Sequence, residues 1–226
     1  MTATRERAIN LRDWEVRAIQ AGRLKMLVRP VKPQPVSPGD GAYFDAYNGG
    51  PEWTWWTPDN RQYLSQIIRC PYGKPGDRLR GREAWRAKSW SEEGWGEIEY
   101  RADGRVATVE GPWSFTKMYP FDMLPHVWRS SVYMPRFAVR NWLEITEVRC
   151  GRVREMSEYD GWDCGIQVME QSAGQSVYRW YGIDRPLAAN VLSAVATLYE
   201  TDHGVGAWDR NDWVWMIGVK RIEVPS

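Results

Sequence analysis

Gly22-Arg23-Leu24-Lys25-Met26-Leu27-Val28-Arg29 is a corner at which one kind of local order gives way to another. Upstream, residues 13–21 predict a helix: Asp13 is a candidate N-cap, Val16 and Ile19 with Trp14 form the apolar stripe, and Gly22 supplies the C-terminal stop. From Lys25 to Arg29 the chain reads as a strand that Pro30 ends. Pro33, Pro35 and Pro38 then keep residues 30–40 extended and loop-like.

Outward from this corner, residues 39–68 read as a surface insertion rich in Gly, Asn and Asp and punctuated by Tyr43, Phe44, Tyr47, Trp53, Trp55 and Trp56. Such a loop is a lid or binding surface, or an Ω-like loop packed on itself. Gly76-Asp77 turns into a predicted strand Leu79–Ala87. Gly96–Arg101 and Arg105–Val109 form a hairpin about Ala102-Asp103-Gly104. Arg140–Val153 is the clearest strand, and Ser157 is placed to cap a short helix. Pro186 opens a helix from Leu187 to about Thr201, and Trp213–Val224 is the last strand. No repeat or low-complexity segment interrupts this order, which predicts an α+β fold.

The 226 residues suffice for one domain with a proper core. With 30 basic against 29 acidic residues the net charge is +1, which argues against a long-duplex binder, because phosphate neutralisation along a duplex needs a surplus of Lys and Arg. A small nucleotide ligand remains compatible with local basic patches. Cys70, Cys150 and Cys164 form no CxxC pair and fit a reducing cytoplasm. Charged Met1–Arg7 leads into no apolar run, so no secretory signal is expected, and no 18-residue apolar stretch predicts a membrane span. His126 and His203 are too isolated for a metal site, and no Walker-type loop or Ser-His-Asp order stands out, so neither metal nor cofactor is expected. Fifteen tryptophans suit cores, interfaces and base-stacking platforms alike.

Four blocks carry a resemblance. They are Ile9 to Pro35; Cys70-Pro-Tyr-Gly-Lys-Pro-Gly-Asp-Arg78 continued to Arg82-Glu83-Ala-Trp85; Trp128-Arg-Ser-Ser-Val-Tyr-Met134-Pro-Arg-Phe137-Ala-Val-Arg140 with Leu143–Val148 and Met156-Ser-Glu; and Gly206-Ala-Trp208 to Trp213-Val-Trp215-Met-Ile217. In this order they resemble the ASCH-domain proteins common in bacteriophages. The resemblance implies a single ASCH-like domain over 1–226 with an insertion at 39–68, folded as a PUA-like β-barrel with flanking helices. Some members of that family are amidohydrolases acting on N4-acylated cytidine through a Lys, a Thr and a Glu. Those positions fall here on Leu24, Leu27 and Cys164. Leucine offers neither proton nor charge, so the corner is expected to be an apolar pocket that holds a ring or acyl group without hydrolysing it. Lys25 lies one position from the Lys site, but adjacent strand residues point to opposite faces, so it does not substitute. Gly81, where the family has a β-branched residue, is expected to open space beside the pocket.

The candidate ligand-binding residues are therefore Leu24, Lys25, Leu27, Arg29, Arg80, Arg82, Glu83, Tyr133, Arg136 and Cys164. Arg80 and Arg82 share a strand face and, with Arg29, suit phosphate. The plainer reading is a solvated face paired with Glu83 and Asp77. Tyr133 and Arg136 suit base stacking, whereas Trp128 and Phe137 suit core closure. Cys164 beside Asp163 is a candidate nucleophile only with a nearby base, and an inert buried thiol is the plainer reading. The expected partner is a nucleotide, modified nucleoside or short single-stranded nucleic acid, bound without catalysis. The alternatives are an enzyme acting on a nucleobase or N4-acylcytidine-type amide through Lys25, Glu83 or Cys164, and a protein-interaction module built on the Trp-rich loops.

Overall fold

The computed structural model describes residues 4–38, 42–46, 52–57, 59, 67–91, 94–111, 127–170, 176–180 and 188–223. Its centre is a five-stranded sheet built from β1 (Glu6–Asn10), β6 (Arg78–Arg82), β10 (Asn141–Arg152), β13 (Trp213–Ile222) and β2 (Met26–Pro30), in that order. β1 and β6 run parallel, and every other neighbouring pair is antiparallel. Among the described residues no ladder joins β2 to β1. The α+β class holds, in several open sheets with few helices.

The corner forms as its residues dictate. Helix α1 (Asp13–Gln20) starts one residue earlier than expected. Arg12 takes the cap position and its N–H donates to Glu15 Oε2 at 2.8 Å, which leaves Asp13 as the first helical residue. Val16, Ala18 and Ile19 are buried, and Gly22 turns the chain at φ 67°, a region side chains avoid. The proline-rich segment after β2 includes a cis Lys32-Pro33 bond.

The predicted strand 79–87 is two strands. β6 ends at Arg82, and β7 (Trp85–Trp90) begins a separate sheet with β8 (Trp95–Tyr100) and β9 (Val106–Glu110). The break falls where Glu83, fully buried, turns inward to meet Arg140 and the Asn141 amide. The β8–β9 turn lies at Ala102–Gly104 as expected, with Gly104 at φ 67°.

The insertion differs most from expectation. Its described parts are strands β3 (Tyr43–Ala46) and β4 (Glu52–Trp56), joined by β5 (Ile68–Arg69) in a three-stranded sheet. Trp53 and Trp55 are buried in the main core. Trp53 packs edge-on to Trp215 with ring centroids 4.9 Å apart, and Phe44 lies 4.9 Å from Trp213. These aromatics roof the sheet, which is where a large apolar area in an otherwise polar stretch gains most. Tyr47, also assigned to the insertion, lies outside the described residues.

Helix α2 (Glu158–Asp163) is capped by Ser157, whose hydroxyl accepts from Asp160 N–H. The hairpin β11 (Ile166–Glu170) and β12 (Ser176–Trp180) follows. Helix α3 (Val191–His203) is capped by Asn190, which accepts from Ser193 N–H at 2.8 Å. Its buried stripe of Val191, Val195 and Leu198 closes a second core with Cys164, Met26 and Met216. The expected start at Pro186 and Leu187 lies outside the described residues. A third core joins β7 and β8 to Met134, Val139 and Trp142. Among the described residues no helix is long and apolar enough to cross a membrane.

Candidate functional site

A cavity of about 890 Å³ opens where β1 runs into α1. Its walls are residues 8–14 with Arg17, Tyr72 and Ala84 on the inner side, Arg101 from the β8–β9 turn, and the segment Trp128–Ser131 opposite. Arg29 reaches it from β2. Five arginines thus surround one space: Arg12, Arg17, Arg29, Arg101 and Arg129. Tyr72, Trp14 and Trp128 supply aromatic surface.

The arginines are positioned by the fold. Arg29 is 8 % exposed and grips Glu15 with both nitrogens, Nη1 to Oε1 at 2.7 Å and Nη2 to Oε2 at 2.9 Å, while Nη2 also donates to the Asn10 carbonyl. Burial works against its charge, but the Glu15 carboxylate prevails and holds its pKa above the ordinary value. Arg12 Nε lies 3.0 Å from Asp202 Oδ1, Arg101 Nε 2.8 Å from Asp13 Oδ2, and Arg17 Nη1 donates to the Ala102 carbonyl at 2.7 Å. Trp128 carries the Arg86 guanidinium 4.6 Å from its ring centroid and keeps 37 % of its surface exposed. These side chains are already held in place, which lowers the ordering cost of receiving an anion.

The expected pocket at the corner is absent because its walls are packed. Leu24 is 5 % and Leu27 1 % exposed, and both belong to the main core. Cys164 is buried close by: a Cβ on the following Gly165 would stand 3.7 Å from that of Leu24. Burial, with the Asp160 and Asp163 charges, pushes the Cys164 thiol well above its usual range, which disfavours the reactive thiolate. It borders a small void of about 30 Å³ between α1, β2 and α3, shared with Asp202 and His203. Gly81 opens no space either, since a Cβ there would stand 2.5 Å from Leu11 Cδ1 and 2.8 Å from the Asn141 carbonyl. Lys25 is exposed and lies 3.9 Å from Asp163, on the side away from Leu24.

The remaining candidates divide. Glu83 does not edge the cavity. It is sealed behind Ala84, paired with Arg140 through two 2.8 Å bonds, and Arg140 in turn reaches Asp103 and lies 3.9 Å from the Tyr100 ring centroid. Burial nevertheless raises the Glu83 pKa against the pull of Arg140. Arg80 and Arg136 both meet Glu6, at 2.9 and 3.0 Å, rather than Glu83 or Asp77. Arg82 Nη1 donates to the Val132 carbonyl at 2.9 Å. Tyr133 is 66 % exposed and lies outside the cavity wall, whereas Trp128, assigned to core closure, lines it. Phe137 packs against Trp90, as a core residue should.

Of the ten candidates the cavity therefore takes only Arg29, while Arg80, Arg82, Tyr133 and Arg136 lie on the surface beyond it. Arg12 and Arg17 belong to the cap and body of α1, Arg101 to the β8–β9 turn and Arg129 to the segment before Ser130, and they form no spaced motif that the sequence could reveal. Among the described residues no group of three His, Cys, Asp or Glu side chains is placed to hold a metal. Comparison of the chain with protein-family models, with curated proteins and with solved structures gives no match.

Proposed function

We propose that this chain is a divergent, phage-type ASCH protein of the PUA-like class, acting in the cytoplasm, that binds a nucleotide, modified nucleoside or short single strand without hydrolysing it. The observation that carries this reading is the cavity: about 890 Å³, ringed by five arginines and bordered by Trp14, Tyr72 and Trp128. A volume of this order holds a nucleotide, guanidinium groups match phosphate oxygens bidentately, and indole faces stack on bases. Leu24 and Cys164, the positions of the reactive Lys and Glu in the family, are both buried, and a leucine and a sealed thiol do not replace the groups that would activate water there. The three free thiols suit a reducing compartment.

Titration of the purified protein with nucleosides and nucleoside monophosphates, followed by tryptophan fluorescence and calorimetry, tests the reading. Monophosphates should bind and quench Trp14 or Trp128. Arg101→Ala should weaken binding roughly tenfold or more, as loss of a charge-assisted hydrogen bond does. Absence of any response at millimolar ligand, with no small molecule released on denaturation, would remove it.

A further inference from the structure

The face of the central sheet that leads away from the cavity carries a local excess of positive charge. Arg78, Arg80 and Arg82 alternate along β6 with buried Leu79 and Gly81, so all three project to the same side. In the parallel register Glu6 stands opposite Arg78, Ala8 opposite Arg80 and Asn10 opposite Arg82. Ala8 and Asn10 also line the cavity, which makes the arginine row continuous with its mouth. Arg136 lies above the same face, its Cζ 5.3 Å from the Trp142 ring centroid. Arg80 and Arg136 bridge Glu6, and Arg78 stands opposite it, while Glu144 on the β10 side of Arg78 is held by Lys220, so arginines outnumber carboxylates on this face in a chain whose total charge is only +1. Arg82 meets a backbone carbonyl, and among the described residues no carboxylate pairs with it. Between this row and the cavity the segment Trp128–Tyr133 presents exposed Trp128, Val132 and Tyr133.

We infer that this arginine row is the track for a single-stranded nucleic acid, one nucleotide of which enters the cavity while the following phosphates run over Arg82, Arg80 and Arg78. The inference rests on the nucleotide reading of the cavity and names its ligand as an oligonucleotide. From Arg82 to Arg78 the strand advances about 13 Å. At about 3.4 Å per nucleotide in a stacked strand that is room for roughly four phosphates. Exposed aromatic side chains beside a basic row are the usual means of holding unpaired bases without reading their sequence. A duplex is disfavoured by the single row and by the chain's near-neutral total charge.

Fluorescence anisotropy with an end-labelled eight-nucleotide single strand, against a nucleoside monophosphate as competitor, decides the matter. The oligonucleotide should bind at least about tenfold more tightly than the monophosphate. Its affinity should fall with salt at a log–log slope near −2, about 0.7 per phosphate neutralised for three contacts. Arg78→Ala with Arg82→Ala should remove most of that advantage and flatten the slope by about 1.4, leaving monophosphate binding unchanged. Arg78→Lys with Arg82→Lys should restore the slope, which separates lost charge from lost fold. Equal affinity for oligonucleotide and monophosphate would overturn the track while leaving the cavity reading intact. Oligonucleotide binding that ignores Arg101→Ala but responds to the row would support the track and remove the cavity. Displacement by a polyglutamate peptide as effective as by unlabelled strand would overturn the inference in favour of an acidic protein partner.

Discussion

Arg29 and Arg82 are alike in the sequence, each an arginine near the end of a five-residue strand, and the structure puts them to opposite uses. Arg29 is buried against Glu15, itself 1 % exposed, with two short hydrogen bonds and two backbone carbonyls completing its shell. Arg82 is half-buried, donates to one carbonyl, and has Arg80 as its charged neighbour, whose repulsion adds to burial in lowering its pKa. An arginine facing a buried carboxylate holds the fold together. An arginine among its own kind on an open face is held there at a cost and is available to an anion.

The contrast breaks first at the buried pair. Glu15→Ala leaves the Arg29 guanidinium without its counter-charge and should cost about 3–5 kcal/mol in denaturant unfolding. The combined Glu15→Leu and Arg29→Met variant should recover most of that loss. If Glu15→Ala unfolds no more easily than the unaltered chain, the pair is not a structural anchor.

Leu24→Ala comes next, at about 2–5 kcal/mol, because a sealed core position loses transfer energy and leaves a void. Ligand affinity should be unaltered once the variant is folded. A small stability change accompanied by altered binding would instead reopen the corner as a pocket.

On the open face the effects change kind. Arg82→Ala should shift unfolding by no more than about 1 kcal/mol, the worth of one ordinary hydrogen bond, yet weaken single-strand binding by about 1.5–3 kcal/mol at low salt. The binding loss should shrink as salt rises. Stability lost with affinity retained would make Arg82 another structural arginine and erase the contrast.

The smallest effect is a pH slope beneath α1. Burial pushes the Asp202 carboxyl up to about 6 against the pull of Arg12, and burial with the Arg12 and Arg29 charges pushes His203 down to about 4. The folded state holds the Asp202 proton more tightly than the unfolded chain does, so Asp202 removes stability as pH rises from its ordinary value of 3.8 to about 6. For His203 the unfolded chain is the better base, so stability is lost as pH falls from 6.5 to about 4. The two slopes oppose each other over nearly the same window. Asp202→Asn should expose the His203 slope, with unfolding midpoints falling steadily from pH 6.5 to 4, and His203→Gln should expose the reverse. Flat profiles in both variants would show that neither group titrates as its surroundings require.

Several elements were legible because the information is local. The helix ending at Gly22, the strand after it, the Ala102–Gly104 turn and the Ser157 cap each follow from a residue's own conformational preference or its reach to a neighbour three positions on. The long strand 140–153 was legible for a related reason: its apolar side chains persist over twelve residues. The insertion was misread because Gly, Asn and Asp mark turns, whereas Trp53 and Trp55 are buried against Trp215 and Trp213, some 160 positions away.

By itself the sequence determined the α+β class, the helix–strand corner and the alternation that sets Arg80 and Arg82 on one face, all consequences of backbone periodicity. Tertiary structure alone decided which arginine is structural and which is open. That choice depends on whether a carboxylate such as Glu15 or Glu83 is carried into the same low-dielectric space, and chain proximity does not reveal it. The cavity belongs wholly to the tertiary level, since its arginines come from the start and middle of α1, β2, the β8–β9 turn and the segment before Ser130 and meet only when those elements pack.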